Sequence, residues 1–285
     1  MTASTTPRMP VYFISHGGGP WPWIADMRAR LRTLEASLAD MPRQIGRTPR
    51  AVLVISGHWE ADSFRVMGTP RPPMVYDYSG FPPHTYSIRY DAPGAPAVAE
   101  RVRALLEGAG LPAQVDTRQG YDHGTFSPLA VMYPLADVPV LQLSLRSGYD
   151  VDTHLAAGRA LAPLRDEGVL IVGSGLSYHN LRNFGPSAAA PSAAFDGWLR
   201  AVLAPASAEA RAAALRGWEN APSARQAHPQ EDHLLPLMVA AGAAGDDPST
   251  LVYHDARVFG GVTASSWRFG AGATPVRAAF DPLPA

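Results

Sequence analysis

Three histidines follow short apolar runs. His16 comes after Val11 to Ile14 and Ser15, His58 after Ala51 to Ser56 and Gly57, and His179 after Val169 to Val172 through GSGLSY. β-branched runs of this length read as buried parallel strands, and ligands of an open α/β sheet bind beyond the carboxyl ends of its strands. An imidazole at such a place needs its ring nitrogens satisfied, by a loop carbonyl or by a ligand. The like contexts of His16 and His58 favour a shared metal ion. There is no cysteine, so the donors must be His, Asp or Glu.

HPQEDHLLPL supplies a third donor. It is not the helical HExxH signature: His228 and His233 are five positions apart, which would splay them by about 140° on a helix. With Asp232 as N-cap, His233 falls in the first turn and is the favoured ligand, and Pro236 is tolerated in that turn. His228 is left to support the site or face the substrate. His123, in GYDHGTFSPL, and His179 sit in glycine-containing loops and suit proton transfer, since imidazole titrates near pH 6.5 or so. His84, His154 and His254 lack such context, and His154 reads as a surface residue of an amphipathic helix.

Two other motifs are weak. In GSGLSYH a histidine stands where the serine-hydrolase elbow needs its last glycine, so no nucleophile is expected at Ser177. GSG after a strand is also an incomplete dinucleotide fingerprint.

The elements that must position these residues alternate between strands and helices. Ile24 to Met41 has helical periodicity and is expected to end at Pro42, giving a β-α-β unit with the strand from Ala51. Further strands are expected at Phe64 to Met67, Gln114 to Thr117, Val138 to Leu145, Leu251 to His254 and Val262 to Phe269. Helices are expected at Ala95 to Glu107, Val151 to Arg165, Ser192 to Leu203, Glu209 to Trp218 and after Asp232. Between Thr69 and Gly94 lies a long loop rich in Pro, Gly and Tyr, a length that signals function in a compact domain. The reading is an α/β fold: a single domain with a central, mostly parallel or mixed sheet flanked by helices, and an active site at the carboxyl ends of the strands. Residues 1–9 are expected to form a flexible N-terminal segment, 10–270 the catalytic domain and 271–285 a loose C-terminal tail.

The 24 basic residues are all arginine against 25 acidic ones, and no basic patch points to nucleic acid. No apolar run is long enough for a membrane span or a secretory signal, so a cytoplasmic location is expected.

Taken in order, SHGGGPWPW, ISGHWE, GFPPHTY with RYDAPG, DHGTFSPL, GSGLSYHNL and HPQEDHLLPL resemble the DOPA 4,5-dioxygenase type of class III extradiol ring-cleaving dioxygenases, related to the catalytic subunit of protocatechuate 4,5-dioxygenase. The resemblance runs from about Val11 to Phe269. It implies an oxidoreductase that inserts both atoms of O2 into a catechol and opens the ring next to the diol. The implied cofactor is non-haem Fe(II), with Zn(II) able to occupy the same site. The implied metal ligands are His16, His58 and His233, and the implied acid–base residues are His179 and His123. A 2-His-1-carboxylate triad would instead recruit Glu60, Glu231 or Asp232. Aromatic residues of the long loop, Tyr76, Tyr78, Phe81, Tyr86 and Tyr90, are candidates to wall the substrate pocket, with Arg89 or Arg146 to pair a substrate carboxylate. His228, Tyr86 and Arg89 are the substrate-binding candidates. The expected partners are a small aromatic diol and O2, with a homo-oligomer open. The competing readings are a zinc-dependent hydrolase and a non-catalytic Memo-type metal- or partner-binding protein.

Overall fold

The computed structural model describes residues 8–204 and 207–277. Eight strands are described: β1 (Val11–Ser15), β2 (Ala51–Ala61), β3 (Phe64–Met67), β4 (Ala113–Asp116), β5 (Val140–Arg146), β6 (Val169–Gly175), β7 (Ser249–Val258) and β8 (Val262–Phe269). Nine α-helices accompany them: α1 (Ala25–Arg30), α2 (Arg32–Ile45), α3 (Pro96–Gly108), α4 (His123–Met132), α5 (Val151–Leu161), α6 (Ala189–Leu203), α7 (Ala208–Arg216), α8 (Ala224–Ala227) and α9 (Leu235–Ala244). The strands form one sheet in the order β4-β3-β5-β2-β6-β1-β8-β7. Its centre, β5-β2-β6-β1, is parallel, while β3, β8 and β7 join antiparallel neighbours, so the sheet is mixed.

Why the centre reads as continuous apolar sequence is plain from its burial: β1 and β6 have every residue buried, as central strands covered on both faces must. Successive residues of β6 address opposite layers. The Ser174 hydroxyl donates to the carbonyl of Gly124 in α4, whereas Gly173 and Gly175 face α9 and the turn before it. A Cβ on Gly173 would stand 2.3 Å from the carbonyl oxygen of Pro236, and one on Gly175 would stand 2.1 Å from that of His233. The GSG of this strand is therefore a steric demand of close helix packing. Helix α9 is buried all round, which suits its unbroken LPLMVAAGAA, and it packs on β6, β1 and α5.

Several local expectations are corrected. The helix after Ile24 is two helices that break at Leu31, and Pro42 lies inside the second, which runs on to a left-handed Gly46. Strand β2 does not stop at Ser56 but continues to Ala61. Its register on β5 passes from Ile55↔Leu143 to Glu60↔Leu145, so Gly57, His58 and Trp59 bulge out of the ladder. A bulge of this kind re-aims side chains. His154 is buried, not on the surface: its Nδ1 donates to the Asp150 carbonyl at 2.7 Å, and its Nε2 accepts from the Arg146 amide at 3.2 Å.

Of the N-terminal segment, residues 1–7 lie outside the described residues, and Met9 is buried with its amide donating to the Arg165 carbonyl at 3.1 Å. Residues 271–277 lie along α2, where the Ala273 amide donates to the Gln44 carbonyl at 2.7 Å and Arg43 donates to Thr274 at 2.6 Å. Residues 278–285 lie outside the described residues. Among the described residues, no helix is long and apolar enough to cross a membrane.

Candidate active site

Beyond the carboxyl ends of the central strands, five histidines face one cavity: His16, His58, His123, His179 and His233. Each arrives differently. His16 leaves β1 with its amide bonded to the Gly175 carbonyl at 3.1 Å and its carbonyl held by Trp21 Nε1 at 2.8 Å. His58 comes from the β2 bulge, its amide bonded to Ser56 Oγ at 3.2 Å. His233 lies in the turn before α9, and its carbonyl accepts from the Leu176 amide at 3.1 Å, which ties it to the end of β6.

The three rings converge through the same atom. His58 Nε2 lies 3.3 Å from His16 Nε2 and 3.1 Å from His233 Nε2. Burial, reinforced by the neighbouring imidazoles, pushes His16 and His58 well below the ordinary histidine range, and the same causes pull His233 down to about 4. Three neutral rings thus aim lone pairs at one point. Two nitrogens each about 2.1 Å from one ion and about 100–109° apart stand about 3.2–3.4 Å from each other, so the donor set fits a single metal ion.

Carboxylates anchor the far nitrogens of His123 and His233 and stand near those of His58 and His179. Asp77 Oδ2 accepts from His123 Nδ1 at 2.9 Å and lies 3.3 Å from His58 Nδ1, while its Oδ1 accepts the His123 amide at 2.9 Å. Asp232 Oδ2 accepts from His233 Nδ1 at 2.6 Å and lies 3.8 Å from His179 Nδ1. A proton held on Nδ1 leaves Nε2 as the donor atom. Burial would raise the Asp232 carboxyl, but the facing imidazoles of His179 and His233 outweigh it and hold it well below the usual carboxylate range. By distance alone the ligand atoms fall into two groups, His16, His58 and His123, and His179, Asp232 and His233, each within 4.8 Å. The Nε2 contact between His58 and His233 joins them.

His179 stacks on His233 with ring centroids 3.4 Å apart, and its amide donates to the Ala227 carbonyl at 2.9 Å. His123 is not in a loop but opens α4, behind the N-cap Asp122. Asp122 is buried and takes bonds from Ser56 Oγ at 2.9 Å, Thr125 N at 3.0 Å and Gln142 Nε2 at 2.7 Å. Its burial raises it to about 6.

The expectations for substrate contacts fare unevenly. Tyr78 and Phe81 line the cavity, but Tyr76, Tyr86 and Tyr90 do not. Tyr86 is exposed, and its hydroxyl accepts from the Phe81 amide at 3.4 Å. Arg89 pairs with Asp91 in solvent, away from the cavity. His228 is buried behind the site, its Nε2 donating to the Ser177 carbonyl at 3.1 Å. Glu60 lies outside the cavity and accepts from the Tyr149 hydroxyl. Asp232 is not an N-cap, because α9 starts later with Leu234 at its cap. Asp77 is a site residue that local sequence reasoning passes over, although the length of its loop is a signal.

Residues 13–270 match the family described as the catalytic LigB subunit of aromatic ring-opening dioxygenase. The chain belongs to this family. A 4,5-DOPA dioxygenase extradiol of Beta vulgaris is 40% identical over 263 residues, covering 90% of this chain and 95% of the relative. Another from Escherichia coli (strain K12) is 35% identical over 250 residues, covering 86% and 89%. The fold is also that of a crystal structure of an uncharacterized Escherichia coli K12 protein, with a TM-score of 0.73, 28% identity, and coverage of 92% of this chain and all of the other. As a member of the ring-opening family, the protein is an extradiol ring-cleaving dioxygenase with a non-haem metal site built from histidines.

Proposed function

We propose that His16, His58 and His233 hold one ferrous ion, and that the protein uses it to open a catechol next to its diol with both atoms of O2. The observation that carries this reading is the convergence of three neutral Nε2 atoms at 3.1 and 3.3 Å. Ferrous iron held by these residues would bind the diol and O2 and pass electrons between them. Zinc fits the same donors but cannot exchange electrons, so the zinc-loaded protein is silent.

The chain's own groups manage protons and water. His179, flat against His233 and facing Asp232, takes a proton from a diol hydroxyl as the substrate docks. His123, oriented through Nδ1 by Asp77, would be the second proton carrier, giving a proton to an oxygen derived from O2 as the ring opens, with both oxygens kept in the product. Phe81, Leu176 and Tyr78 stand close by and exclude water from the reacting centre. The physiological setting follows the chemistry: a small aromatic diol and O2 are the partners, and the cytoplasm supplies ferrous iron.

Anaerobic reconstitution with Fe(II), followed by O2 and a panel of catechols including DOPA, protocatechuate, caffeate and the neutral 4-propylcatechol, tests the reading. Oxygen uptake matched by a yellow ring-opened product supports it. Silence across the panel with iron bound sinks it.

A further inference from the structure

The cavity that opens from the histidines has a volume of about 500 Å³, the size of a drug-like ligand and far more than a bare catechol ring needs. Away from its polar floor the walls are apolar, formed by Met27, Leu31, Leu34, Phe184, Phe259 and Val262. Leu181 lines it too and is 74% exposed, which puts an unshielded apolar side chain at the mouth. Among the described residues lining the cavity there is no arginine or lysine, and its two carboxylates, Asp77 and Asp232, are already bonded to imidazoles.

Among the described residues, arginine side chains lie only outside the cavity lining. Arg89 is paired with Asp91 at the surface. Arg30, Arg32 and Arg257 line a separate depression that shares only Phe259 with the cavity. A carboxylate on a short side chain carried into this space would lose water without gaining a counter-charge, and an ammonium would find no free anion.

We infer that the preferred substrate is a neutral catechol bearing an extended apolar substituent, and that Leu181, Phe184 and Phe259 select it over amino-acid or carboxylated catechols. The inference rests on the catechol reading of the histidine site and names the substrate class within it. Each methylene buried on such a wall tightens binding about fourfold. A buried carboxylate without a partner costs about tenfold or more.

Titration calorimetry of the zinc-loaded full chain with 4-methyl-, 4-propyl- and 4-hexylcatechol measures this without turnover. Kd is expected to fall about fourfold per methylene until the cavity is full. The propyl compound is expected to bind about tenfold more tightly than its near-isostere 3-(3,4-dihydroxyphenyl)propionate. In Leu181→Asn and Phe184→Ala the hexyl-to-methyl ratio of affinities shrinks. A flat series, or a propionate that binds as tightly as the propyl compound, overturns the inference. Oxygen uptake by the Fe(II) enzyme on the same compounds separates the two claims. The expected Kd pattern without ring opening upholds the cavity's binding preference and removes the dioxygenase reading, whereas ring opening that favours the carboxylated substrate overturns the preference and keeps the dioxygenase reading.

Discussion

Asp77→Asn probes how far the site depends on a carboxylate supplied by a loop. Asp77 receives the Nδ1 proton of His123 at 2.9 Å and stands 3.3 Å from Nδ1 of His58. An amide of the same shape keeps one acceptor but turns a donor toward these nitrogens. If it holds the His123 amide bond through its oxygen, the NH2 meets two Nδ1–H groups, and relief requires a ring to move its proton to Nε2. For His58 that is the atom facing His16 and His233. Losing such an anchoring partner typically costs about 10- to 100-fold in metal affinity or activity, or about 1.4–2.8 kcal/mol. Fold stability should change little, since Asp77 lies on a loop and an asparagine oxygen can still accept the amide of His123 at the start of α4. Competition against a chromophoric chelator gives the metal Kd, oxygen uptake gives kcat/KM, and thermal melting checks the fold. Asp91→Asn, on the same loop but paired with Arg89 in solvent, is the control. Metal affinity within twofold of wild type together with unchanged kcat/KM would refute the assignment of Asp77 as a positioning residue.

His58→Ala should abolish tight metal binding, whereas His179→Ala should bind metal within a few-fold of wild type and lose about 10²–10⁴ in kcat; chelator competition and single-turnover kinetics separate the two, and equal metal loss in both would be fatal to the division of roles. Gly175→Ala drives a Cβ to 2.1 Å from a backbone oxygen of His233; it should destabilise by about 1–3 kcal/mol and weaken the metal site. Gly197→Ala in α6, with nothing within 4 Å, should stabilise by up to about 1 kcal/mol; urea titration measures both, and equal effects would contradict the packing argument. His228 is buried and lowered to about 3 from a usual value of 6.5, so the unfolded chain takes up its proton first. Its stabilising contribution is complete above pH 6.5 or so and is lost on acidification toward about 3, by at most about 1.4 kcal/mol per pH unit. Asp122, raised to about 6, acts oppositely: its folded carboxyl keeps a proton that the unfolded chain releases, which offsets part of the loss between about 3.8 and 6. Wild type should therefore lose more stability than His228→Asn between pH 7 and 5, and identical pH slopes in urea would count against a neutral buried His228.

The chain's local pattern determined a good deal. Apolar β-branched runs at β1, β2 and β6 read as buried strands, and a histidine beyond each end falls at the edge of the sheet where ligands bind. The strand–helix alternation and the histidines at strand ends follow from periodicity and spacing of that kind, because those signals act between near neighbours, whereas whether the sheet is mostly parallel or mixed is decided by the antiparallel pairings of β3, β7 and β8. What tertiary structure decided were contacts between segments remote in sequence. Asp77 reaches His123 across 46 positions, and His233 meets His58 across 175; no periodicity encodes either. The β2 bulge that aims His58 depends on its register with β5, and the burial of His154 depends on Phe64 and the Arg146 amide. Likewise His228, Tyr86 and Arg89 have suitable chemistry but lie off the cavity. Side-chain type sets what a residue is able to do, and only the packing of distant elements sets what it faces.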